Sequence, residues 1–471
     1  MKKYLDYAPF AVIALLVLLV LKLSVSQESY IPSLKVLGDV DEVITIDHME
    51  QYDNAKFVKD GTTYTGIKME TIVAGMLDEN SSLYYIGGDG LVAQVEANSI
   101  EESYLLYTAD HGWEIMNLQH PVSSNIKDVE EIVVVSNEEF SPSAFTIYTD
   151  TDNVYTATVG QMLMGEYTYV REWEGESVDS GNTVSVYTSH RVIPLESLIG
   201  EVQQAVIFQE NGAISFGDTA GYLEIHDNQI TYHNGDVQYE QVVGIYLGDT
   251  YAFVGDAYYH MDYYLRAGEK VLTIFIDGLG YEILETAMER DIIPNISSGE
   301  IVKAFSVHTS VTNAGFASMI TGTTPDVNGV HSREERELLV DSIFATALEL
   351  ELQTSFLEGD IQILDTEIAP TLHLAGDMQI LDTALTDIQE GAEFCFLHLH
   401  ELDNYGHMYG PEGEALYAYL EEIDVEVGKL IEEFDGKVMI TTDHGMHQDG
   451  EGGNHGTMRY EDMIIPIIYV K

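Results

Sequence analysis

Positive charge is what this chain has least of. Lysine and arginine number 20 against 80 aspartates and glutamates, a formal net charge of −60. A surface that negative repels nucleic acid and anionic lipid headgroups at long range, which excludes a polyanion as the main partner. It suits a high-salt or cation-rich setting, or plain solubility. Cysteine is almost missing: the single Cys395 lies in the middle of an apolar run, so no intrachain disulfide can form and a buried, inert thiol is expected. No low-complexity tract interrupts the 471 residues, which suffice for two or three domains with cores of their own. The apolar run at residues 8–21 is short of the ~20 residues a spanning helix wants, and no strong Ala-x-Ala site follows it. Lys2 and Lys3 before it and Ser24-Val25-Ser26 after it nevertheless give the order of a secretory leader. Residues 1–27 therefore read as a cleaved signal or an uncleaved anchor. The rest is then extracytoplasmic, secreted or anchored in the cytoplasmic membrane by that segment.

Helical signals are also few from residue 28 to 262, chiefly around 68–77. Short alternating runs such as EVITID, LVAQVEA, EIVVVS, FTIYTD and YLEIHD, separated by Gly, Asn and Asp, mark a β-rich region. TGIKMETIVAGMLDENSSLYYIGGDGLVAQV lines up loosely with RVIPLESLIGEVQQAVIFQENGAISFGDTAGYLEI, so two repeated domains, 28–138 and 139–262, are expected. In residues 35–136 the succession TYTGIKMETIVAGM, YYIGGDGLVAQV, HPVSSNIKDVEEIVVV resembles the molybdopterin-binding domain of sulfite-oxidase-like oxidoreductases. That family binds its metal through a cysteine thiolate, which this region lacks, so the resemblance implies a shared fold with a recognition or assembly role.

From residue 263 onward strands alternate with helical patterns, which predicts an α/β domain with a mostly parallel sheet and helices on both faces. VLTIFIDGLG (271–280) is a fully buried strand ending on Asp277. FCFLHLH (394–400) runs into ELDNYGHMYGP, and KVMITT (437–442) into Asp443-His444-Gly445. Strands that each deliver an Asp, or Asp with His, past their carboxyl ends converge on one edge of the sheet, where open α/β sheets bind ligands. Asp403 and His407, four apart, face the same side of a helical turn. His455 sits in GGNHGT, where glycines let the backbone approach an ion. Oxygen and imidazole donors of this kind suit a divalent ion, zinc above all. Singly, each residue is as well explained as a cap or a surface group; together, at successive strand ends, they outline a metal site. Thr312 opens a helical run at 313–320, where a hydroxyl faces free N–H groups and the positive end of the dipole; it is either a nucleophile or an ordinary N-cap.

The order Asp-Gly-x-Gly, Thr-Asn-x-x-x-x-Ser-x-x-Thr-Gly-x-x-Pro, Asp-x-x-Gly-His-x-x-Gly-Pro, Thr-Asp-His-Gly-Met, Gly-x-His-Gly resembles the alkaline phosphatase superfamily, nearest its type I phosphodiesterase/nucleotide pyrophosphatase branch, over residues 271–471. The resemblance implies two zinc ions. One would be held by Asp403, His407 and His455, the other by Asp277, Asp443 and His444 with the oxygen of Thr312. It also implies a small phosphoester substrate and a phosphothreonine intermediate on Thr312. Where the pyrophosphatases have Thr-Phe-Pro-Asn, this chain has Thr312-Asn313-Ala314-Gly315, so Asn313 is expected to hold a phosphoryl oxygen. No cysteine stands at the nucleophile position, against a sulfatase. The nearest arginine, Arg333, is remote in sequence, which favours diesters over monoesters; a phosphonate or phosphomonoester hydrolase and an inactive binding protein are the alternatives. His308, His331, His373, His398, His400 and His447 read as supporting groups, His447 foremost.

Overall fold

The computed structural model describes residues 31–471 apart from 78–79, 137–143, 180–181, 250–251 and 374. The leader segment 1–27 lies outside the described residues. Among those described, no helix is long and apolar enough to cross a membrane. The chain divides into two compact units at residues 137/138.

In the first unit a five-stranded sheet runs in the order Ile44–Ile46, Leu34–Gly38, Val129–Val135, Ser82–Gly87, Val92–Glu96, beside a four-stranded sheet built from Asn54–Lys59, Thr62–Lys68, Ser103–Thr108 and Gly112–Asn117. Their alternating apolar residues, among them Leu34, Val36, Leu83, Tyr85 and Trp113, form one buried core. The second unit opens with a five-stranded sheet in the order Asn153–Ala157, Phe145–Tyr148, Val242–Tyr246, Gln204–Gln209, Ile214–Asp218. The two sheets share one plan. In each, the strand next to the edge pairs in parallel with the last strand of the copy, which pairs antiparallel with the strand after a short helix. Those short helices, Met69–Ile72 and Leu195–Ile199, fall at matching points of the two aligned sequences.

The second unit also holds a five-stranded sheet in the order Thr168–Asp179, Asn182–Pro194, Tyr222–His226, Gln229–Asn234, Val237–Tyr239, a two-stranded one of His447–Asp449 and Gly452–Asn454, and a seven-stranded sheet. Its strands are β1 (Val271–Ile276), β2 (Glu300–Phe305), β3 (Thr354–Glu358), β4 (Thr371–Leu372), β5 (Phe394–Leu399), β6 (Lys437–Thr441) and β7 (Ile464–Tyr469). The order is β2-β7-β6-β1-β5-β3-β4. All six residues of β1 are buried. Leu272, Ile274 and Ile276 enter one core, while Val271 and Phe275 enter another. Period-two alternation with both faces apolar requires a cover on each side. Helices α1 (Asp256–Arg266), α2 (Tyr281–Glu289), α3 (Thr312–Thr321), α4 (Ile343–Glu349), α5 (Asp377–Gln389), α6 (Glu401–Tyr409) and α7 (Glu414–Glu433) supply it. Residues of α2, α5 and α7 lie in the first core, those of α1, α3 and α4 in the second.

The sheet is mixed. β6, β1, β5, β3 and β4 are parallel, but β7 runs against β6 and β2 against β7. The reason is local: after β6 the chain stays at the same end of the sheet through Asp443, His444 and His455, with no crossover helix to carry it back, so β7 enters from the carboxyl end. Parallel pairing demands such a crossover. An apolar cluster of Tyr148, Phe208, Tyr246, Phe305, Met458, Met463 and Ile464 joins this sheet to the five-stranded one that opens the unit.

Candidate metal centre and active site

β1 ends on Asp277 and turns sharply at Gly278, whose φ of +75° is open to glycine at no steric cost. β6 ends one residue before Thr442-Asp443-His444. Gly315, one turn into α3, is what lets that helix approach: a Cβ there would lie 2.7 Å from the Asp443 Cβ. Ser306 Oγ donates to the Asp443 carbonyl from the far side of the same corner. α6 sets Asp403 and His407 on one face, His407 Nε2 3.4 Å from Asp403 Oδ2. His455 comes back to this cluster from the loop before β7, its Nε2 3.7 Å from Asp403 Oδ1.

Three groups of donors result among the described residues: Asp277, Asp443 and His444, all buried; Asp403, His407 and His455, at the more open side; and Asp277 again with His398 and His400. The rings of His444 and His455 stack at 3.7 Å, so the groups adjoin. Thr312, the first residue of α3, makes no N-cap bond; the cap position is Val311. Its Oγ1 lies 3.5 Å from His444 Nε2. All seven residues expected from the sequence to serve the metals are thereby brought together.

The hydrogen-bond pattern shows what these groups are prepared to hold. Each histidine points Nδ1 at a backbone carbonyl, His407 at Gly453, His444 at Gly445 and His455 at Ser310, at 2.8–2.9 Å. A carbonyl only accepts, so each Nδ1 carries the proton, and in the neutral ring the Nε2 lone pair faces the cluster. There His444 Nε2 meets Asp277 Oδ1 at 3.4 Å and Asp443 Oδ2 at 3.3 Å. Asp277 Oδ1, Asp443 Oδ2 and Asp403 Oδ1 are buried and have no hydrogen-bond partner. By contrast, Asp443 Oδ1 accepts from the backbone N–H groups of His444 and Gly278. Carboxylate oxygens facing imidazole nitrogens fit a divalent cation between them; His455 Nε2 in addition accepts from Arg333 Nη2 at 2.6 Å, a contact that an ion bound there would displace.

Charge agrees. Burial, and then the Asp277 carboxylate, push Asp443 up from the ordinary carboxylate range. At Asp277 burial works in the same direction, but hydrogen bonds from His398 and His400 and the nearby His444 outweigh it and hold the group well below that range. His455 is held down at about 2 by burial and by His444, which keeps its ring neutral. A dry site that cannot charge both carboxylates unaided can do so around a cation.

Glu358 escaped sequence reasoning altogether, and His398 and His400 were legible only as supporting groups with no assigned partner. His398 Nε2 is 3.4 Å from Asp277 Oδ2, and its Nδ1 is 2.9 Å from Glu358 Oε1; all three groups are buried. Burial opposes the charged ring, but Asp277 and Glu358 on either side raise His398 to about 9. His400 Nδ1 is 3.6 Å from the same Asp277 oxygen. Strand alternation placed His398 and His400 on one face just before Asp403, the only signal available. His447, favoured from sequence, is bonded to Asp462 instead. Asn313 Nδ2 donates to the carbonyls of Glu335 at 2.8 Å and Ile363 at 3.4 Å, so its amide is engaged by backbone.

Residues 351–461 match the model of the family described as Type I phosphodiesterase / nucleotide pyrophosphatase, which places that stretch with phosphoester hydrolases and agrees with the superfamily resemblance of the motifs. The match does not reach residues 35–136, and the molybdopterin-domain resemblance there gains no support. Murine ectonucleotide pyrophosphatase / phosphodiesterase 5 is similar at 19% identity and a TM-score of 0.32, over 39% of this chain and 59% of that one. Phosphonoacetate hydrolase from Sinorhizobium meliloti 1021, in complex with phosphonoformate, is similar at 16% identity and a TM-score of 0.31, over 38% and 56%. The chain thus spans less than two thirds of the length of either, and likenesses at that level carry no argument about activity. Among curated proteins none matches.

Proposed function

We propose that the protein is a metal-dependent phosphoester hydrolase of the phosphodiesterase/nucleotide pyrophosphatase type, acting on a small phosphoester through a phosphothreonine on Thr312. The observation that carries this reading is the convergence of three unpartnered carboxylate oxygens on the side chains of three histidines beside one hydroxyl. Asp403, His407 and His455 would hold one divalent ion. Asp277, Asp443 and His444, with Thr312, would hold the other, and the donor set favours zinc. Two such ions, when bound, supply Lewis-acid charge that offsets the charge building on the entering and leaving oxygens.

The chain's own part is positioning. Thr312 Oγ1 is fixed at the start of α3, where the free N–H groups of the first turn and the dipole favour the phosphoryl group it accepts. The P–O bond to Thr312 forms as the bond to the leaving oxygen breaks. Water then cleaves the phosphothreonine, regenerating the hydroxyl and releasing phosphate or a monoester. Asn313 would contact a phosphoryl oxygen by giving up its longer bond to Ile363. By its leader-like residues 1–27 the protein would work outside the cytoplasmic membrane.

Thr312→Ala tests the reading. Turnover of bis-p-nitrophenyl phosphate should fall by about 10³-fold or more, the scale seen when a nucleophile is removed. Intact turnover would rule out Thr312 as the nucleophile.

A further inference from the structure

We infer that the chain carries a second ligand site, a groove along α2 that binds an organic cation with two or more primary ammonium groups, a linear diamine or polyamine. The inference is independent of the hydrolase reading above.

The groove consists of two adjoining cavities, of about 540 and 110 Å³, with Glu282 and Tyr460 in the wall of both. None of the six metal-type residues lines either one. Each end already holds a cation of the chain's own over a tyrosine ring. At the wider end Arg290 Cζ lies 3.8 Å from the centre of the Tyr417 ring, and Nη1 is 3.1 Å from Glu414. At the narrower end Lys303 Nζ lies 4.5 Å from the centre of the Tyr281 ring and 3.8 Å from Asp150. A cation on a tyrosine face beside a carboxylate gains from both partners. Between the two ends, Tyr460 offers the same setting without the cation. Its hydroxyl donates to Glu282, and Glu461 follows it in the chain. Partial burial, then the Glu461 carboxylate, push Glu282 up from the ordinary carboxylate range, as befits two acids with no counter-charge between them. Asn153 fixes this wall: its Oδ1 accepts from the Tyr460 N–H at 3.0 Å and its Nδ2 donates to Glu461 Oε2 at 2.9 Å.

His447 points to a ligand independently of the acids. The residue is only 6% exposed, and it lines the wider cavity. Its Nδ1 is held by the buried Asp462 at 2.8 Å, and since a carboxylate accepts, Nδ1 carries the proton. Among the described residues Nε2 has no hydrogen-bond partner, so the neutral ring presents a lone pair to the cavity. That acceptor, beside carboxylates and an aromatic face, wants a positively charged donor. Charge gives the number of groups. Glu282, Glu412, Glu414 and Glu461 against Arg290 leave three uncompensated negative charges in the wider cavity. A single metal ion does not suit them, because among the described residues these side chains do not gather closely enough to share one. A quaternary ammonium would cover the ring and leave the acceptors unsatisfied. Primary ammonium groups bring three donors each, and their spacing along a flexible chain matches acids spread along a groove.

The test is calorimetric titration of the full-length protein with putrescine and spermidine at physiological ionic strength. One tight equivalent per chain is expected. A chain this acidic also attracts amines diffusely, so the variants decide. Glu282→Gln should weaken putrescine binding by about tenfold, the scale of one charged hydrogen bond. Tyr460→Leu should weaken it by about fivefold or more through loss of the ring face. Glu390→Gln, an exposed acid outside the groove, should leave it unchanged. Glu282 is itself exposed on the surface of α2, so its variant keeps the test valid even if Tyr460→Leu fails to fold. Wild-type affinity in Glu282→Gln, or an equal loss in Glu390→Gln, would overturn the inference by showing diffuse attraction only. Magnesium or tetramethylammonium displacing putrescine at equal concentration would overturn the ligand class.

Discussion

A carboxylate oxygen facing an imidazole lone pair is repulsive unless something positive lies between them, and this site repeats that pairing in two adjoining groups. The tautomers of His407, His444 and His455 are fixed for it, since each Nδ1 is held to a carbonyl of the surrounding loops. The buried chain Glu358–His398–Asp277 does the same for a carboxylate. It takes up Asp277 Oδ2 and leaves Oδ1 to the cluster. Buried charge of this kind adds little net stability compared with well-packed apolar residues, so its use is orientation. Glu358→Gln keeps the shape and removes one charge. Zinc affinity, read by competition with a chelator, should weaken by about tenfold, the lower end for partners of ligating groups. An unchanged affinity would mean that Asp277 is oriented without His398. Asp277, Asp403, Asp443, His444 and His455 were legible in the sequence because each follows a strand or opens a helix beside glycine. Glu358 and the placement of Arg333 were not: one ends a plain apolar strand, the other lies in a polar loop, and only the fold brings either to the site.

At the scale of elements, the site depends on close approach of α3 to the corner after β6. Gly315 is the contact point, where an added methyl would lie 2.8 Å from the Asp443 carbonyl oxygen as well as 2.7 Å from its Cβ. Gly315→Ala should therefore push α3 outward. Overpacking of this sort costs about 1–3 kcal/mol, and a displacement of a reacting group by even ~1 Å costs about 10²-fold in rate. Turnover should drop by at least about tenfold with the fold retained, as judged by circular dichroism. Full activity in that variant would show that the spacing between Thr312 and Asp443 is not critical. Hydrophobic period places helices of this half closely, Tyr281–Glu289 and Glu414–Glu433 among them. The direction of β7 could not be read that way. Period-two burial says that Ile464–Tyr469 is a strand and says nothing about which way it runs; the absence of a helical pattern between His444 and Ile464 was the available clue.

At the scale of the whole molecule, a net charge of −60 surrounds a site proposed to receive an anion. The proposed ions and Arg333 reverse the field locally, and screening by salt limits the reach of the rest to about 8–10 Å at physiological ionic strength. Two of the β-rich sheets share one plan of strand pairing. The second of them shares an apolar cluster with the sheet that bears the site, and through Asn153 it holds Tyr460 and Glu461 in the segment after His455. All of this presupposes that the six acidic and imidazole side chains bind metal. The direct measurement is metal content by inductively coupled plasma mass spectrometry on the purified chain after dialysis, with Asp443→Asn and His455→Ala alongside. About two zinc ions per chain are expected, falling to about one in each variant. A wild type that holds no divalent ion, or variants that both keep the full complement, would contradict it.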